Sequence, residues 1–143
     1  MTRVSGRLTM RSAPAEIYRT LADGVRQHAL APTTEVDDNA PATILTRFTT
    51  KLWLGTVVTT EEATLDPGRS VRWRHVAGPL TGSVETFRIE PGAEGGALVT
   101  YEGEIRARHP LFRGPLERLF VAPATKRISM THLRALRAEL DGV

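Results

Sequence analysis

The chain has 143 residues, 41% hydrophobic and 24% charged, which fits one domain around one core. It has no cysteine, no apolar run near the roughly 18 residues of a membrane span, and an N-terminus without the apolar core of a signal peptide. Disulfides, thiol chemistry and a membrane helix are thereby excluded, and the expectation is a cytoplasmic protein. Net charge is +3 with a pI near 9.9, but the basic residues are spread along the chain. A nucleic-acid partner would require a clustered basic patch with interleaved aromatics, so none is expected.

In chain order, Arg3 to Met10 alternates, with Val4, Gly6, Leu8 and Met10 on one parity, and reads as a half-buried strand. Pro14 and Glu16 then suit the first turn of a helix. Ile17, Tyr18 and Leu21 form its buried stripe, Gly24 offers a left-handed stop, and residues 25–30 read as a second short helix. Short strands are predicted over 34–38, 43–54, 55–65, 70–76, 81–90 and 97–107, with a turn at Asp66-Pro67-Gly68 where proline presets φ and glycine permits φ > 0. Consecutive strands joined by short turns give an antiparallel sheet with one face left wet.

Residues 110–140 read as one long helix, entered through His109-Pro110 and interrupted at Pro123. Phe112, Leu116, Leu119, Phe120, Pro123, Met130, Leu133, Leu136 and Leu140 recur mostly at steps of three and four, as one helical face. A helix of about thirty residues is about 45 Å long. Such an apolar face needs an equally long cover, and the sheet is the available one. The fold class is therefore α+β.

Several stretches resemble the START-related (SRPBCC) superfamily, whose members include polyketide cyclase/aromatase-like and coenzyme Q-binding proteins. They are the opening strand followed by Ser12-Ala13-Pro14-Ala15-Glu16-Ile17-Tyr18, the segment Trp73-Arg74-His75 through Gly78-Pro79, and Gly95-Gly96 leading to Val99-Thr100-Tyr101-Glu102. The resemblance covers nearly the whole chain. It implies a helix-grip fold, a curved antiparallel sheet of six to seven strands around a long C-terminal helix, as a single domain over 1–143. It also implies a cavity between sheet and helix for a small hydrophobic ligand, lipid-like or aromatic, and leaves a homodimer open. Many members carry a tryptophan after the first helix; this chain has Val25 to Pro32 there.

Strand parity puts His75, Glu85 and Tyr101 on the core-facing side with Trp73 and Phe87. A histidine near neutral pKa, a carboxyl raised by desolvation and a phenol that can donate to a carbonyl are the groups an aldol-type cyclisation and dehydration would use. These three are the candidate catalytic residues. Trp73, Phe87, Phe112, Leu116, Phe120 and Met130 are the candidate ligand-binding residues. Each polar candidate has a plain alternative as a hydrogen-bonded core or rim residue. His28, His75, His109 and His132 have no metal-like spacing, and no phosphate loop or serine nucleophile elbow is present, so no metal and no cofactor are expected. Three readings remain open: a carrier or binding protein, a cyclase, aromatase or dehydratase, and a protein-interaction module.

Overall fold

The computed structural model describes residues 1–31, 39–52 and 55–142. The element order is β1 (Thr2–Met10), α1 (Pro14–Gln27), β2 (Ala42–Leu52), β3 (Gly55–Asp66), β4 (Ser70–Ala77), β5 (Val84–Pro91) and β6 (Ala97–Ile105). After a 3-10 turn (Pro110–Phe112) comes a π-helical turn (Glu117–Val121) running directly into α2 (Ala122–Asp141). The six strands form one antiparallel sheet in the order β1-β6-β5-β4-β3-β2. This is the helix-grip architecture. The strand expected at 34–38 lies outside the described residues.

The core is the inward parity of the strands. Val71, Phe87, Ile89, Val99, Tyr101 and Ile105 are buried beside Ile17, Tyr18, Ala22 and Val25 of α1 and Met130, Leu133 and Leu136 of α2. Outward positions such as Arg72, Arg74, Arg88 and Glu102 stay exposed, and Arg74 pairs with Glu62 at 3.3 Å and Arg88 with Glu102 at 2.8 Å. Alternation of this kind lets one sheet face bury while the other stays wet. Gly6 brings the helix close: a Cβ there would meet Met130 Sδ at 2.7 Å. The far end of α2 is latched to the start of α1 by Asp141, which accepts the Arg11 and Ser12 backbone N–H groups at 2.8 and 3.1 Å and the Ser12 hydroxyl.

Three expectations are corrected. α1 does not stop at Gly24, and residues 25–30 form no second helix: α1 runs to Gln27, and Ala29 bridges to Thr46 of β2. The long helix does not begin at Pro110, because Gly114 takes a left-handed φ of +69° and the helix starts after it. Pro123 does not interrupt it. Proline lacks an N–H and its ring collides with the preceding turn. The chain answers by widening that turn: Ala122 N–H bonds Glu117 O, five residues back. Such π-turns add one residue inside a continuous helix.

The added residue changes which side chains face inward. One residue advances a helix by about 100°. The buried positions run Met130, Leu133 and Leu136 in α2, but step back to Ala122 and then Glu117. Phe112, Leu116 and Phe120, expected to line the cavity, are turned outward with Leu119 and stand 47%, 36%, 65% and 61% exposed. Glu117 takes the inward place at 3% exposure.

Candidate functional site

His75, Glu85 and Tyr101 converge on the inner face of the sheet. His75 sits on β4 directly opposite Glu61 of β3, Glu85 on β5 opposite Trp73, and Tyr101 on β6 opposite Phe87. Glu85 is the hub. Its Oε2 lies 2.9 Å from His75 Nε2, while Oε1 accepts the Tyr101 hydroxyl at 2.7 Å and the Ser129 hydroxyl of α2 at 2.8 Å. Thus three strands and the helix meet at one carboxylate. Gly103 makes room for this: a Cβ there would lie 2.7 Å from the Tyr101 hydroxyl.

Sequence reasoning missed Glu61. It is 7% exposed, its Oε1 is 3.1 Å from His75 Nε2, and Thr59 donates to its Oε2 at 3.2 Å. Its parity with buried Ala63 and Leu65 in β3 was a usable signal. Ser129 was missed as well. It adjoins Met130 on the inner face of α2, so helical spacing alone would have raised it.

The electrostatics follow from crowding. Burial raises the Glu61 pKa above the ordinary carboxylate value, and the Glu85 charge adds to the rise against the pull of His75. Burial also opposes charge on Glu85, but the bonds from His75 and Tyr101 outweigh it and hold its pKa below the ordinary value. For His75, burial disfavours the imidazolium, yet two facing carboxylates win and raise its pKa. Burial and the Glu85 charge raise the Tyr101 pKa, so its proton is held. The result is an ionised Glu85 paired with His75, a reluctant Glu61 beside them, and a neutral phenol. Two carboxyl groups pushed in opposite directions is the arrangement from which acid and base roles arise.

His75 Nε2 lies within hydrogen-bond distance of both carboxylates. The other ring nitrogen, Nδ1, is buried without a hydrogen-bond partner among the described residues, as is the indole Nε1 of Trp73 two residues earlier. Trp73 packs edge-on against Phe87 at 5.4 Å, and Phe87 in turn lies 5.6 Å from Tyr101. The inner face at this point is an aromatic wall with a polar seam. Met130 belongs to the same buried core, and Leu21, Phe87, His132, Leu133, Leu136 and Glu139 line a cleft of about 250 Å³ between α1, β5 and α2.

Glu61, His75 and Glu85 also offer donor atoms within 4.8 Å of one another, close enough for one metal ion. The set comes from three strands, so no spacing in the sequence reveals it. The hydrogen bonds at Nε2 already account for this approach, and an ion there would displace the Nε2 proton.

The chain matches the family described as polyketide cyclase/dehydrase and lipid transport over residues 1–141. It belongs to that family. The protein superposes on TTHA0849 from Thermus thermophilus with a TM-score of 0.76 at 17% identity, covering 97% of each chain. It is similar to the di-domain ARO/CYC StfQ of the steffimycin biosynthetic pathway, with a TM-score of 0.74 at 15% identity over 98% of this chain and 50% of StfQ. A START superfamily protein from Mycobacterium smegmatis gives 0.69 at 14% identity over 98% and 97% of the two chains. At these identities the likeness establishes the fold. No curated protein sequence matches the chain. No helix among the described residues is long and apolar enough to cross a membrane.

Proposed function

We propose that this family member binds a small apolar ligand, lipid-like or aromatic, between the sheet and α2, with an oxygen-bearing end at the His75–Glu85–Tyr101 cluster. The observation that carries this reading is the pair of orphaned ring nitrogens, His75 Nδ1 and Trp73 Nε1, adjacent on the inner face of β4. A buried polar atom without a partner costs about 1–3 kcal/mol, so a ligand able to bond either atom gains what the fold alone forgoes. Trp73, Phe87 and Met130 supply the apolar contact, in keeping with sites that pair an apolar wall with a few convergent polar groups.

A second reading, cyclisation or dehydration, is favoured by the opposed shifts of Glu61 and Glu85. In it the His75–Glu85 pair takes a proton from a carbon next to a carbonyl, and Glu61, protonated, returns one to a departing hydroxyl. The family's description as polyketide cyclase/dehydrase is in keeping with this reading. An uncharged apolar fluorescent probe such as N-phenyl-1-naphthylamine tests the shared premise. It should bind saturably at one site, and Glu85→Gln should weaken that binding at least tenfold in protein that circular dichroism shows to be folded. Binding that is not saturable, or is untouched by the substitution, would remove both readings.

A further inference from the structure

The outward-turned apolar residues form a surface of their own. Leu111, Phe112, Leu116, Leu119 and Phe120 are 67%, 47%, 36%, 61% and 65% exposed, and they crowd the 3-10 turn and the first turns of the long helix. They are interleaved with Arg108, Arg113 and Arg118, and Lys126 and Arg127 follow. Between residues 105 and 138 the only carboxylate is Glu117, and it is buried. No acid on this segment therefore offsets the basic charge. Arg113 is held in place, donating to the Ala107 and Arg108 carbonyls at 3.1 Å each. Gly114, at φ +69°, turns the corner that sets the 3-10 turn beside the helix start.

We infer that this end of the molecule docks on an anionic lipid surface. Protruding leucine and phenylalanine tips among arginines match the interfacial pattern, in which apolar side chains enter the acyl boundary and cations remain at the headgroups. A second copy of the chain fits less well. A two-fold contact presents the same patch on both subunits, so the arginines would face arginines. An acidic peptide also fits less well, since the apolar side chains stand proud, and the neighbouring cleft of about 390 Å³ is lined by Met1, Thr2, Gly114, Pro115, Arg118 and the Glu117 carboxylate, which repels acids. This inference does not depend on the proposed ligand, because docking uses residues outside the inner cluster.

Co-sedimentation with phosphatidylcholine vesicles, with and without about one-third phosphatidylglycerol, reads the docking directly. The protein should partition onto the anionic vesicles, ignore the neutral ones, and release as salt rises and screens the charges. Leu119→Ser with Phe120→Ser should abolish partitioning while circular dichroism stays unchanged, because both side chains are already exposed. Arg118→Gln should weaken it about fivefold, the ratio that corresponds to ~1 kcal/mol per basic residue near such a surface. Indifference to anionic vesicles overturns the inference. So does docking that survives the double substitution, or a dimer in sedimentation velocity that the double substitution dissolves when no vesicle is present. A failure here leaves the inner-face binding test untouched.

Discussion

Two inward glutamates, Glu117 at the start of the helix and Glu85 on β5, are held by different kinds of partner. Glu117 accepts the Ala107 backbone N–H at 2.7 Å, the Thr2 hydroxyl at 3.1 Å and the Met1 ammonium at 3.3 Å. Burial resists its charge, but those donors hold its pKa below the ordinary value. Its partners come from the first strand and from the segment after the last one, so it ties the helix start to both. Glu85 is instead satisfied by His75, Tyr101 and Ser129, all side chains and two of them titratable. One donor to Glu117 is a backbone N–H fixed by the path of the chain, whereas every donor to Glu85 is a side chain that can rotate. On the proposed function, that freedom is what lets Glu85 serve a ligand.

The widest gap between the two should appear on truncation. Glu85→Ala strands three side-chain donors and leaves the His75 ring against Glu61 alone. It should cost about 3–5 kcal/mol, the range for breaking a buried charge pair, read by urea denaturation. Glu117→Ala should cost less, about 2 kcal/mol, because the exposed N-terminus and Thr2 can turn to water while only the Ala107 N–H stays stranded. Equal losses at the two sites would erase the distinction.

The pH dependence of stability sharpens it. Glu117 and Glu85 both have lowered pKa values, so each contributes stability above the unfolded value of 4.5 that is lost as pH falls through the folded value. His75 is raised, so its contribution is complete below 6.5 and is lost as pH rises through its folded value. Glu61, also raised, loses its contribution as pH climbs above 4.5. The denaturation midpoint should therefore decline on both sides. His75→Asn should flatten the alkaline decline and leave the acid decline of Glu117, while Glu117→Gln should lessen the acid decline to the share of Glu85 and leave the alkaline one. An alkaline decline that survives in His75→Asn would assign it to some other group.

The smallest expected effect is Tyr101→Phe, which removes one of the donors to Glu85. It should cost roughly 1 kcal/mol and raise the Glu85 pKa, seen by carboxyl NMR titration as a shift toward the ordinary value. No movement of that titration would mean the phenol bond is not made in solution.

Much of the sheet was legible in the sequence. Side chains in a strand alternate with period two whatever surrounds them, so Val71, Trp73, His75, Glu85, Phe87, Val99 and Tyr101 could be assigned to one face from the chain alone. That parity put His75 on the same face as Glu85, and the register then brought them together. Glu61 carried the same signal in β3, but the register shift between Thr60 and Glu61 and the run of Val and Thr before it obscured the alternation.

The first half of the long helix was decided only by the tertiary structure. Its apolar spacing matches the rest of the helix when extrapolated through regular turns, and on that reading Phe112, Leu116 and Phe120 point inward. A single extra residue in the turn before Pro123 rotates the helix start by about 100°, and Gly114 sets Phe112 outside the helix altogether. The sequence marks where a disturbance must fall, since proline cannot donate. Whether the helix breaks, kinks or widens depends on what the rotated face meets. Here it meets Thr2 and the Ala107 backbone, which reward a carboxylate and leave the phenylalanines outside. Those partners lie 115 and 10 residues from Glu117, beyond the reach of local pattern.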